Sequence, residues 1–239
     1  MNLQALGALL QDALWADLAE AKRMDEAPLL AHYTTIDTFE KIVKSGEMWL
    51  SNPLFMNDLE EMRFGMMRGA DFFRGSSHIL EACADSERLN ALMSMFDEEW
   101  SNFEQRHALD TYVLCFSAHE PDDVDGRLSM WRGYGAQGRG VAMVFNPKSI
   151  PRVEGSPLIA GPVTYMATSE RIQWFESKVQ APARLLALVQ RTDDELRLVV
   201  RHWLARLQDL RSVYEAPRLQ GGRRVACGVY ARSRYRQAV

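Results

Sequence analysis

LLAHYTTIDTFEKIVKSGEMWLS, residues 29–51, is the stretch whose alternation of patterns sets the fold class. LLAHYTT (29–35) is a short apolar-to-aromatic run after Pro28 and predicts a strand. In IDTFEKIVKSGE (36–47) the period changes. Ile36, Phe39, Ile42 and Val43 fall on one helical face, and Gly46 stands where a left-handed C-terminal glycine belongs. Asp37 with Glu40 three residues on supplies a start signal. MWLS (48–51), bounded by Asn52-Pro53, predicts a second short strand.

Working outward, Leu3, Leu6, Leu10, Ala13, Leu14 and Leu18 recur at helical spacing. Residues 1–28 are therefore read as an N-terminal amphipathic helix and its connection; without a basic leader and with Asp12 and Asp17, they do not resemble a signal peptide. NDLEEMRFGMMRGADFF (57–73) reads as a helix opened by Asn57 or Asp58. Residues 78–106 read as one long helix with Leu80, Cys83, Leu89, Leu92, Met95, Phe96 and Trp100 on its apolar side. TYVLCFSA (111–118) carries the strongest strand signal in the chain. PDDVDG is a loop, RLSMWRGYGAQGRG (127–140) a short helix entering a glycine-rich turn, and VAMVFN (141–146) a strand ended by Pro147. PLIAGPVTYM (157–166) is extended, and 168–210 shows two helical patterns separated by Pro182. Strand–helix–strand, a helical insertion over about 59–108 and then several strands make an α+β chain, not an alternating βαβ one. The expected organisation is a single α+β domain over 29–210, followed by a basic tail over 211–239.

Composition fits this reading. The 239 residues are 47% hydrophobic and 25% charged, as in ordinary globular proteins and unlike disordered or fibrous ones. Three cysteines, Cys83, Cys115 and Cys227, give an odd count without metal-ligand spacing, so neither a disulfide framework nor a metal site is expected, and a reducing cytoplasm is. No run is long and apolar enough for a membrane span. The formal charge of −4 argues against general nucleic-acid binding. That average hides a split: residues 211–239 hold seven arginines and one acid, Glu215, while the first 210 residues carry −10.

Three constellations carry chemistry: His32-Tyr33-Thr34 on the first strand, Asn57-Asp58 with Glu61, and Cys115-Phe116-Ser117 followed by Trp131 and Tyr134. Singly, each has a plainer reading. A strand histidine is ordinarily a hydrogen-bonded core residue, Asn-Asp before a helix is an N-cap, and two aromatics three apart on a helix are usually core. The GxSxG, HExxH and P-loop motifs are absent. GYGAQGRG (133–140) precedes a strand instead of opening a helix after one, so it lacks the geometry of a dinucleotide fingerprint.

Taken in order, HYTTIDTFEKIVKSGEMWLSNPLFMNDLEE (32–61), YVLCFSA (112–118), LSMWRGYGAQGRGVAMVF (128–145) and PVTYM (162–166) resemble the bacterial family catalogued as domain of unknown function 2971. The match covers about residues 30–166, with Leu59 standing where the family usually has proline. The strand histidine followed by Tyr and Thr, with a helix ending in Ser-Gly, is more distantly similar to the first NAD-binding motif of the ADP-ribosyltransferase-like fold. That similarity implies a split, mostly antiparallel sheet with flanking helices holding NAD, and an NAD-dependent ADP-ribosyltransferase or NAD glycohydrolase with a toxin or defence role. On this reading His32 and Glu61 are catalytic, and His32, Tyr33, Thr34, Asn57, Asp58, Ser117, Trp131 and Tyr134 bind the nucleotide.

The tail departs from the family. Where the family places two glutamates in a Pro-x-Phe-x-x-Glu-x-Glu-x-Arg pattern, alignment on Pro217 puts Gly222 and Arg224. An oxocarbenium-like transition state needs such a carboxylate, and its loss costs orders of magnitude in rate. The resemblance thus also accommodates an inactive chain, a non-catalytic nucleotide-binding or protein-interaction module. The tail reads as an altered or frameshifted ending that leaves a sheet edge unpaired, or, taken at face value, as a basic arm for RNA or DNA.

Overall fold

The computed structural model describes residues 1–19, 29–52, 59–107, 111–150, 158–163, 165–207, 214–215 and 226–232. The protein is α+β, and the chain divides into two units. One, mainly helical, comprises Met1–Glu20, Met56–Asp110 and Tyr165–Arg218; the other, built on a sheet, comprises Ala21–Phe55, Thr111–Thr164 and Leu219–Val239.

The sheet unit starts with the stretch quoted above. β1 (Leu29–Thr34) pairs on one side with β2 (Thr111–His119) and on the other with β3 (Val141–Phe145), both antiparallel. β4 (Leu158–Val163) closes one edge, and in order of position along the chain the last strand of the sheet, Ala226–Arg232, lies between β2 and β4 and pairs antiparallel with both. The tail therefore supplies an interior strand, and the expectation of an unpaired edge fails there: Cys115 pairs with Gly228 and Gly161 with Gly228 from the other side. Pro162 is tolerated within β4 because an edge strand has one side free of ladder bonds.

α2 (Ile36–Ser45) runs as read, with Gly46 at φ +68 closing it. Its N-cap is Thr35, whose Oγ1 accepts from the Thr38 N–H at 3.2 Å, and not Asp37. The apolar face of the helix is not core: Ile36 and Val43 are 57% and 63% exposed. MWLS does not form a strand either. Only Ser51 bridges, exchanging two backbone hydrogen bonds of 2.8 Å with Val113 beyond the last residue of β2 that pairs with β1.

In the helical unit, α1 (Leu3–Ala19) is capped by Asn2 and buries Leu6, Leu10 and Leu14 completely, while Leu3 stays exposed. α3 (Leu59–Arg74) follows, and then the segment read as one helix breaks in two: α4 (Ser77–Cys83) and α5 (Ser86–His107). Ala84 turns left-handed at φ +67, and the Asp85 carboxylate accepts from the Arg88 N–H at 2.8 Å to start α5. The break rotates the first piece, so Ile79, Ala82 and Cys83 are buried and Leu80 is exposed.

Pro182 does not separate two helices, although the sequence pattern predicts that it does. It lies inside α7 (Thr168–Leu188), buried beside Val179 and Ala183, where core packing outweighs one lost backbone hydrogen bond. The break comes at Arg191, φ +60, and Thr192 then opens α8 (Asp193–Leu207) through a reciprocal cap with Glu195. Phe73 stacks against Phe96 at 4.9 Å and leans on Trp203 at 5.7 Å in the middle of this core. Two short parallel strands, β5 (Tyr165–Met166) and β6 (Tyr214–Glu215), complete the unit, which makes Ala226–Arg232 strand β7. Among the described residues no helix is long and apolar enough to cross a membrane.

Candidate functional site

The site residues on the first strand are sorted by the pleat. Successive strand side chains leave a sheet on opposite faces, so His32 and Thr34 share one face of β1 and Tyr33 the other. On the first face the imidazole of His32 meets Phe116 edge to face at 5.8 Å, beside the small apolar cluster of Leu30, Phe116 and Phe145. On the second, Tyr33 meets Trp131 edge to face at 4.9 Å.

His32 is half-buried, with Nδ1 3.1 Å from the carbonyl oxygen of Cys115. A carbonyl only accepts, so Nδ1 carries the proton and the neutral ring presents Nε2 as an acceptor. Burial pushes the His32 pKa below the ordinary 6.5, against the smaller opposing pull of the Cys115 hydrogen bond. The neutral ring is the form held at physiological pH.

Tyr33 and Trp131 are occupied in building a loop. The buried Tyr33 hydroxyl accepts the Arg127 backbone N–H at 2.9 Å, and the Trp131 indole N–H donates to the Asp125 carbonyl at 2.7 Å. The Asp123 carboxylate accepts from the Asp125 and Gly126 N–H groups at 3.1 and 2.8 Å. Gly126, at φ +69, has room for no side chain, since a Cβ there would lie 2.5 Å from the Tyr33 hydroxyl. α6 (Leu128–Gly133) carries Trp131, and the exposed Tyr134 follows it. At the return into β3, Gly140 passes so close to Thr34 that a Cβ would meet the Thr34 carbonyl oxygen at 2.3 Å. The loop expected at PDDVDG is a capped turn. The Asp-x-x-Gly spacing within it, Asp123 to Gly126, is the signal that marks a side-chain-capped turn.

No family model, curated protein or solved structure matches the chain.

Of the residues singled out in the sequence, the structure brings His32 and Thr34 together on one face, and Tyr33, Trp131 and Ser117 on the other. Ser117 is buried, pairs with Ala31 in the ladder, and donates from Oγ to the Ala31 carbonyl at 3.4 Å. Asn57 and Asp58 lie outside the described residues. Glu61 is on α3, in the helical unit, whereas His32 belongs to the sheet unit. Among the described residues no group of three or more His, Cys, Asp and Glu side chains is placed to hold a metal ion.

The residues fit part of what NAD would require. The Nε2 of His32 suits a ribose hydroxyl, which can donate to it. The Tyr33 ring and hydroxyl are taken up by Trp131 and Arg127, which removes Tyr33 as a wall for nicotinamide on the His32 face. Glycosyl transfer also needs a carboxylate at the developing positive charge.

Proposed function

We propose that the sheet unit is a nucleotide-binding module on an ADP-ribosyltransferase-like scaffold of the kind catalogued as domain of unknown function 2971, and that it takes NAD or ADP-ribose against the His32 face. The observation that carries this reading is the Nδ1 bond of His32 to the Cys115 carbonyl, which leaves Nε2 as an acceptor for a ribose hydroxyl. The antiparallel pairing of the His-Tyr-Thr strand between β2 and β3 supports the scaffold. Binding without turnover is the favoured form, because alignment on Pro217 puts Gly222 and Arg224 where the family pattern has its two glutamates. The alternative is the catalytic form, an NAD-dependent transferase or glycohydrolase with a toxin or defence role.

Calorimetric titration of the full chain with NAD and with ADP-ribose tests the reading. Saturable binding is expected, weakened about tenfold by His32→Ala, the equivalent of one hydrogen bond of ~1.4 kcal/mol. A flat titration at millimolar ligand overturns it. Nicotinamide release by the wild-type chain above the His32→Ala background replaces the binding module with the transferase or glycohydrolase.

A further inference from the structure

We draw no further inference here: the strongest candidate, the cavity of about 460 Å3 between α3, α4 and α7 in the helical unit, is lined by Arg68, Asp71, Glu176, Phe72 and Val179, and nothing in the structure shows which ligand chemistry that mixed lining selects.

Discussion

The Nδ1 of His32 stands 3.1 Å from the carbonyl oxygen of Cys115, a residue 83 positions further along the chain. This contact fixes the tautomer of the ring, and the surrounding burial favours its neutral form. The folded pKa of His32 therefore lies below its unfolded value of 6.5. The sign follows from linkage: the unfolded chain binds the proton more readily, so the stability contributed by the neutral ring is complete above pH 6.5 and is lost as pH falls through the folded pKa. An NMR titration of the His32 ring should give a midpoint below 6.5. A midpoint at or above that value would contradict the burial. In His32→Asn, whose amide can still donate to Cys115, the matching acid-side slope of stability should disappear.

The clasp around Tyr33 predicts an order of stabilities. Tyr33→Phe removes the acceptor of the Arg127 N–H and should cost about 1 kcal/mol. Gly126→Ala should cost more, about 2 kcal/mol, because it combines a left-handed backbone with a Cβ forced against the Tyr33 hydroxyl. In Tyr33→Phe the hydroxyl that would meet this Cβ is gone, so the two costs should add to less than their sum in the double variant. Urea midpoints of the four proteins check this. Strict additivity would mean that the two residues do not touch.

Asp17 links α1 to the two last long helices. Its Oδ2 accepts from Nη2 of the fully buried Arg206 at 2.9 Å, and Lys178 lies 2.9 Å from its Oδ1. Trp174 stands 4.8 Å beneath the same guanidinium. Burial works against the Asp17 charge, yet Arg206 and then Lys178 hold its pKa below the ordinary 3.8. Asp17→Ala leaves Arg206 buried without its carboxylate and should destabilise the chain by about 3 kcal/mol at pH 7. The carboxylate's contribution is complete above pH 3.8 and is lost as pH falls through the lowered folded value. Denaturant titrations of wild type and variant should accordingly show a smaller gap at pH 3 than at pH 7. A constant gap between them would show that Asp17 acts through packing, not charge.

At Gly69, α3 packs tightly against α7 and α8. A Cβ there would meet the Leu207 side chain at 2.2 and 2.9 Å and the Phe175 ring at 3.0 Å. The Gly69 carbonyl also accepts the Trp203 indole N–H at 3.1 Å. In an open helix Gly→Ala gains about 1 kcal/mol; here overpacking should reverse the sign and cost about 1–2 kcal/mol. A stabilised Gly69→Ala, read from its thermal midpoint, would mean that Leu207 can move aside without loss.

Local signals were legible wherever one segment decides its own structure. The strand at 29–34, the Gly46 terminus of α2 and the strand at 111–119 follow from composition and period over a few residues. The Thr192–Glu195 cap was also written in the sequence as Thr-x-x-Glu, and it outweighs the more conspicuous Pro182. Pro182 misleads because a proline's local cost is modest beside the burial of the side chains around it.

The α+β class and most strand and helix identities are legible in the order of residues alone. Each rests on interactions between near neighbours, which leave a periodic trace. That Tyr33 is spent on the Arg127 and Trp131 clasp, on the face opposite His32, depends on contacts across the fold. So does the place of Ala226–Arg232 of the arginine-rich tail between β2 and β4. Pairing between segments more than a hundred residues apart is set by register and burial, and neither is encoded in any one segment.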